Sequence, residues 1–368
     1  MTPWQSAVQV DDLLALNQYS LRQGDKQVIF AARLRELTLL HRERSDAYRR
    51  ILSALKHDPD EISSVIDVPM LPVGLFKSHA LRSIPEDRVF KVVTSSGTTG
   101  AAVSRVYLDA AAAQLQTRIL AGIMTHWLGS SRSPMIVVDA RSTLRDRRTL
   151  TARAAGIIGM ATFGRDHFYA LDDDMRLDRD GLVAWLNKHA GSPVLIFGFT
   201  FMVWEHLLKT LSPGELDLRN GILIHSGGWK KLSERAVGNH EYKAELERVT
   251  GLRRVHNFYG MAEQIGTVFV ECERGFLHAP NGSDIVVRDP ATWEVVTDGE
   301  IGVAQMLSAL PESYPGHSIL TEDFARVEAV DSCPCGRCGK AVSILGRIPE
   351  AEMRGCSDTH AHNGEAAA

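Results

Sequence analysis

Apolar residues recur at spacings of three and four from about Val8 to Leu55, with Leu13, Leu14, Leu16, Ile29, Leu34, Leu37, Leu40 and Tyr48 on the repeating positions. That period predicts two or three helices with charged outer faces. Pro59, Pro69 and Pro72 punctuate a connector, after which Val73-Gly74-Leu75-Phe76-Lys77 reads as an apolar turn carrying a cation. The pattern then changes to short apolar runs that empty into small residues. Val92-Val93 leads into Thr94-Ser95-Ser96-Gly97-Thr98-Thr99-Gly100, Gly221-Ile222-Leu223-Ile224 into His225-Ser226-Gly227-Gly228, and Val255-His256-Asn257-Phe258 into Tyr259-Gly260-Met261-Ala262-Glu263. Residues 104–107 read as a short strand, and an alanine-rich helix is expected from Asp109, a good N-cap, to about Trp127. Residues 135–139 and 193–198 read as buried strands, and the charged stretches 141–148 and 172–180 as loops and helix ends.

Strands alternating with helices predict an α/β core, and three strand-to-small-residue junctions predict a site at one edge of its sheet. Phe199, Phe201, Met202 and Trp204, following the 193–198 strand, suit an apolar pocket there. Past Val268 the chain breaks into short β-like runs at 284–288, 293–296, 302–307 and 324–330, which predict a small β-rich subdomain. The last regular element is expected to end near Gly355. The pattern divides the chain into a helical region (1–75), an α/β core (76–267), a β-rich subdomain (268–355) and a tail (356–368).

At 368 residues the chain exceeds one ordinary core, and 44% hydrophobic and 23% charged residues are usual for a globular protein. A formal net charge of −4 and a pI near 6.4 argue against a dedicated nucleic-acid binder. With neither a membrane-length apolar run nor a signal-peptide pattern, the expected location is the cytoplasm, with no membrane partner. The five cysteines, Cys272, Cys333, Cys335, Cys338 and Cys356, are odd in number and gathered toward the C-terminus, which suits metal ligation or thiol chemistry better than a disulfide framework. Cys333-Pro334-Cys335-Gly336-Arg337-Cys338 has the spacing of a zinc knuckle and by itself supplies at most three ligands.

Taken in order, these motifs resemble the adenylate-forming enzymes. Residues 94–100 resemble their phosphate loop, Tyr259-Gly260-Met261-Ala262-Glu263 their Tyr-Gly-x-x-Glu motif, Thr321-Glu322-Asp323 their Thr-Gly-Asp element, and Gly346-Arg347 their Gly-Arg hinge. More closely, Phe76-Lys77, His225-Ser226-Gly227-Gly228-Trp229-Lys230-Lys231, His317-Ser318-Ile319-Leu320-Thr321-Glu322-Asp323 and Arg354-Gly355-Cys356-Ser357 resemble the LuxE acyl-protein synthetases of bacterial fatty-acid reductase systems, related to phenylacetate-CoA-ligase-like enzymes. The resemblance implies the large-domain adenylate-forming fold. Only a short tail follows Gly355, so the full-size C-terminal swivel domain of acyl-CoA synthetases is not expected.

The implied reaction is ATP-dependent activation of a carboxylic acid, fatty in this family, as acyl-AMP, followed by transfer to a thiol. Thr94, Ser95, Ser96, Gly97, Thr98, Thr99 and Gly100 would hold the pyrophosphate, where fixed donors stabilise developing charge. Glu263 would carry Mg2+. Gly227 and Gly228 would lie against adenine with Tyr259 and Gly260 nearby, Asp323 would accept from the ribose hydroxyls, and Arg347 would reach ribose or phosphate. Lys77, a surface cation on its local context, joins Glu263 and Cys356 as a catalytic candidate. The loop lysine of many relatives is absent, and Arg105 is the nearest substitute. Cys356 occupies the place of the family's acyl-accepting cysteine, which hands the acyl group to a reductase or carrier partner, with Arg354 as a cation to lower its pKa. Phenylacetate-CoA-ligase-like relatives imply a zinc set of Cys272, His278, Cys333 and Cys335, with Cys338 as the competing ligand. Two other functions stay open: an AMP-forming acyl-, aryl-CoA or carrier-protein ligase, and a non-catalytic scaffold of a reductase complex.

Overall fold

The computed structural model describes residues 10–95, 103–144, 152–228 and 237–348. These fall into two compact units, one of residues 10–123, 260–270 and 276–348, the other of residues 124–259 with the short turn 271–275.

The helical period at the start of the chain forms α1 (Val10–Ala15), α2 (Gln23–Arg44) and α3 (Asp46–Leu55) of the first unit. Ser45 separates α2 from α3, its side chain accepting from the Tyr48 N–H, and Lys56 ends α3 in the left-handed region. The connector carries β1 (Leu71–Pro72), α4 (Leu75–Ser78) and the hairpin β2 (Lys91–Thr94) and β3 (Arg105–Leu108), so the apolar turn at Lys77 is one turn of helix. Asp109 Oδ1 accepts from Ala112 N–H and caps the alanine-rich α5 (Ala110–Leu128) as expected.

The C-terminal strands of this unit are mainly antiparallel: β9 (Val268–Glu271), β10 (Leu277–His278), β11 (Ser283–Arg288), β12 (Ile301–Ser308), β13 (Ser318–Val330) and β14 (Lys340–Arg347), in the order β11-β12-β13-β14-β10-β9. β1 adds to β13 in parallel, with Leu71 opposite Ile319. Ile29, Phe30, Leu34 and Leu37 of α2 cover Val286 and Leu307, which is why β11 and β12 are buried on both faces. The buried Asp284 carboxylate accepts from Gln23 Nε2 at 2.7 Å and lies 3.6 Å from Lys340 Nζ, while Lys26 Nζ donates to the Pro280 carbonyl at 2.8 Å. Residues 293–296, expected as a strand, form only an isolated bridge of Val295 to Arg288, following a turn at 290–292 in which Asp289 Oδ1 accepts from the N–H groups of Ala291 and Thr292.

In the same unit His41 and His317 stack with centroids 5.1 Å apart. Pro311 O lies 3.0 Å from His41 Nε2 and accepts from it, so Nδ1 accepts from Ser83 Oγ at 2.7 Å; His317 Nε2 lies 3.0 Å from Thr38 Oγ1. Burial first, with the Arg33 and Arg44 charges adding to it and the Pro311 bond opposing, pushes His41 down to about 3. Its folded value lies below the ordinary one, so the unfolded chain binds the extra proton, and stability present above about pH 6.5 is lost as pH falls toward 3. One such histidine costs about 2 kcal/mol at pH 5. The expected result is a Tm that drops between pH 7.5 and pH 5 and a shallower drop in His41→Gln; equal slopes in the two proteins would contradict it.

The second unit is a parallel sheet with strand order β5-β4-β6-β7-β8, from β4 (Ser133–Ala140), β5 (Gly164–Leu171), β6 (Val194–Phe199), β7 (Gly221–Ser226) and β8 (Arg254–Gly260). Helices α6 (Ala152–Ala161), α7 (Arg179–Lys188) and α9 (Asn239–Thr250) connect it, and after β6 the turn α8 (Thr200–Met202) runs on as wider and then tighter helical turns to Thr210. Ile136, Ile196, Leu223, Tyr242 and Leu246 belong to its core, with Trp204, so Trp204 packs rather than lining a pocket. Met202 is likewise buried, against Ala140 and Leu171.

Candidate active site and metal centre

The arms of the Ser/Thr/Gly loop are held in the β2–β3 hairpin, where Thr94 pairs with Arg105. Past that pair Ser95 N–H donates to Ser104 O at 3.1 Å and Ser104 N–H to Ser95 Oγ at 2.9 Å, clasping the neck of the loop. Thr94 and Arg105 are exposed, so the Arg105 cation stands beside the first loop residue. Ser96, Gly97, Thr98, Thr99 and Gly100 lie outside the described residues, as do Cys356 and Arg354.

Glu263 is 6% exposed, and the two residues after it are fastened: Gln264 Nε2 donates to the carbonyls of Met306 and Gly316, and Ile265 N–H to Tyr314 Oη. The Tyr314 phenol is pushed up, by burial first and by the Glu263 charge as a further cause. A carboxylate on a segment anchored in this way is a suitable ligand for a hard divalent cation.

Asp323 and Arg347, from two separate motifs, are direct partners across β13 and β14. Arg347 Nε lies 3.6 Å from Asp323 Oδ1, with the guanidinium side chain 41% exposed. The Asp323 backbone is set by Thr321 Oγ1, which accepts from its N–H at 3.1 Å and donates to Ala304 O at 2.8 Å. Gly346 has φ 119°, strained for any other residue, next to the register shift that re-aims the strand end. One acceptor and one cation are therefore paired at the C-terminal end of β14, an arrangement suited to a ribose beside a phosphate. Lys77 is half-buried on α4, and Val73 N–H donates to Leu320 O, which fastens that turn to the residue before Thr321.

In the second unit β6, β7 and β8 end in register, with Phe199 opposite Ser226 and Ser226 opposite Phe258. Gly227, Gly228 and Tyr259 thus leave the sheet at adjacent C-terminal strand ends, the usual ligand edge of a parallel sheet. Gly227 has φ 82°, and a Cβ there would meet Phe199 Cδ1 at 3.1 Å. His225 Nδ1 lies 2.9 Å from Thr200 Oγ1, which donates to Ser226 O, and burial pushes the ring down to about 3, so it is neutral. Thr200 props the glycine junction from the first residue of α8, after β6, and no local pattern marks it in the sequence. Gly260, where a Cβ would meet Val268 Cγ1 at 3.1 Å, leads toward Glu263.

The hairpin between β9 and β10 carries Cys272 and His278, and the knuckle after β13 carries Cys333 and Cys335. Their ligand atoms all lie within 4.8 Å of one another. Cys272, His278 and Cys333 are buried, and Cys335 Sγ lies 3.3 Å from His278 Nε2. Gly336, at φ 83°, turns the knuckle and donates to Cys333 O. Sulfurs on one tetrahedral zinc stand about 3.8 Å apart, so the set fits with small closure. Three sulfurs and an imidazole nitrogen are a zinc donor set. Cys338 is outside this group, half-buried, its N–H donating to Tyr19 O.

The family model for the LuxE acyl-protein synthetases matches residues 4–363. The long-chain-fatty-acid–luciferin-component ligase of Aliivibrio fischeri is 22% identical over 360 residues, 95% of this chain and 92% of the relative. Its namesake in Vibrio harveyi is 22% identical over 369 residues, 96% of this chain and 93% of the relative. Among solved structures, an open conformation of 2-hydroxyisobutyryl-CoA ligase in complex with 2-HIB-AMP and CoA aligns with a TM-score of 0.67 at 19% identity, covering 95% of this chain and 80% of that one. Another structure of that ligase, in the postadenylation state with 2-HIB-AMP, gives 0.66 at 20% identity, covering 89% and 69%. The two structures agree with the adenylate-forming fold expected from the motifs, and the match along nearly the whole sequence makes this chain a member of the LuxE acyl-protein synthetase family.

Proposed function

We propose that the protein activates a long-chain carboxylic acid with ATP and takes the acyl group onto its own Cys356. A carboxylate oxygen attacks the α-phosphorus, the bond to the bridging oxygen of the β-phosphate breaks, and pyrophosphate leaves. The Cys356 thiolate then attacks the acyl carbon, AMP departs with the former carboxylate oxygen, and a thioester remains. The observation that carries the reading is the pairing of Asp323, within β13, with Arg347 at the end of β14, in a chain whose other motifs follow the same order.

Residues 94–100, with Arg105 beside them, are assigned to the leaving pyrophosphate, whose charge grows as the α–β bond breaks. Gly227, Gly228, Tyr259 and Gly260 are assigned to the adenine, Asp323 to the ribose hydroxyls and Arg347 to ribose or α-phosphate. Glu263 would hold Mg2+, which supplies charge neutralisation on the phosphates. Lys77, from the turn fastened at Leu320, is assigned to the reacting carboxylate as a cation. Cys272, His278, Cys333 and Cys335 would hold a closed structural zinc. The thioester is the form handed on to a reductase or acyl carrier, consistent with the fatty-acid substrate in the relatives' names. Among the described residues no helix is long and apolar enough to cross a membrane.

Exchange of labelled pyrophosphate into ATP tests the first half-reaction. Across a panel of acids from acetate to tetradecanoate, exchange is expected to depend on acid and to peak among the long chains. Exchange that never exceeds the acid-free blank would remove the reading in favour of a non-catalytic scaffold.

A further inference from the structure

The first unit contains a cavity of about 690 Å³ lined by Arg44, Arg50, Arg82 and Arg88 together with Asp46 and Asp109. Four guanidinium groups against two carboxylates leave the wall with an excess of two positive charges. Both carboxylates are already engaged: Asp109 caps α5, and Asp46 pairs with Arg49. Arg82 reaches Glu86 at 3.2 Å, and Arg50 Nε donates to the Asp46 carbonyl at 3.3 Å. Arg44 and Arg88 are exposed at the cavity. The first turn of α3 also lines it through Ser45, Asp46 and Ala47. Its first N–H groups precede any intrahelical acceptor and add the positive end of a ten-residue helix.

The cavity is separate from the phosphate loop proposed above. Arg88 precedes β2 and Asp109 follows β3, whereas the loop joins the other ends of those strands, about 10 Å of extended chain away. Its size is that of a small-molecule site rather than of a lone inorganic anion. Arginine forks and a helix N-terminus favour phosphate oxygens, and an excess of two positive charges matches a phosphate monoester, which carries about −1.5 to −2 at pH 7. A fatty carboxylate would bring one charge and a long apolar chain to a wall of arginines.

We propose that this cavity is a second ligand site that takes a small organic phosphate monoester. The test is calorimetric titration of the full chain with α,β-methylene-ATP present at saturation to fill the ATP site, using inorganic phosphate, ribose 5-phosphate and adenosine 3′,5′-bisphosphate as probes. At least one ester is expected to bind, more tightly than inorganic phosphate. Its affinity is expected to weaken about tenfold or more in Arg44→Gln/Arg88→Gln and, less steeply, in Arg82→Gln. It is also expected to weaken between pH 7.5 and pH 5.5, as the second phosphate proton, with a pKa of about 6, is retained. Thermal stability and pyrophosphate exchange of the variants are expected to stay at the wild-type level, which separates this site from the adenylation reading. Absence of ester binding, inorganic phosphate binding as tightly as the esters, an unchanged affinity in the double variant, or loss of all binding when the ATP analogue is present would each overturn the proposal.

Discussion

Replacing Cys356 by serine is expected to abolish the hydroxylamine-labile acyl-enzyme while leaving acid-dependent pyrophosphate exchange within about twofold of wild type, because the thiol acts only after the adenylate has formed. A thiolate is the stronger nucleophile toward an activated carbonyl, and a hydroxyl at the same place has no base assigned to activate it. Mass spectrometry after incubation with ATP and a long-chain acid reads the adduct directly. The four other cysteines are the internal control, since Cys272, Cys333 and Cys335 belong to the donor cluster and Cys338 stands outside it. An adduct on Cys356→Ser that hydroxylamine still removes would contradict the assignment, as would a variant in which exchange disappears with the adduct.

Removal of the metal should have the second largest effect. The purified protein is expected to carry close to one equivalent of zinc, and Cys333→Ser or His278→Ala to carry little. Occupancy at about a thousand times the dissociation constant contributes about 4 kcal/mol, and at about 2–4 °C per kcal/mol for a mid-sized domain the zinc-free protein should melt about 8–16 °C lower. The loss is expected to fall on β10, β13 and β14, because β10 and the knuckle after β13 share the cluster while β14 pairs with both strands. A chelator-treated protein that contains no zinc and melts at the original temperature would contradict a structural role. Cys338→Ser should retain the metal, because Cys338 stands apart from the group.

Much of this was legible in the chain because it is local. The apolar period gave α2 and α3, and continuous apolar runs gave β4, β6 and β7, each recognisable without knowing its neighbours. β5 was not legible: Gly164-Arg165-Asp166-His167 shows no strand alternation, and the strand lies at the edge of the parallel order, where exposed polar residues are tolerated. The expected strand at 293–296 failed for the opposite reason, since apolar Trp293 and Val295 were outweighed by the Asp289 turn. Pairing at long range has no local mark. Nothing in Leu71-Pro72 announces β13 as its partner, and the motifs of Asp323 and Arg347 do not show that the two residues face each other.

The same distinction holds at the site. Glycine positions carried information because their backbone conformation is a local demand, as Gly227 and Gly346 show. Aromatic positions carried less: Trp204 after β6 looked like pocket lining and is core, stacked on Tyr242 at 5.8 Å. The arginines of the 690 Å³ cavity come from α2, α3 and the connector before β2, and no spacing rule joins them.

The proposed adenylation cleaves ATP between its α- and β-phosphates. Incubation of the protein with a long-chain acid and ATP labelled separately at the α and γ positions reads that cleavage. Acid-dependent label is expected in AMP and in pyrophosphate; label in ADP and inorganic phosphate would rule out acyl-adenylate formation.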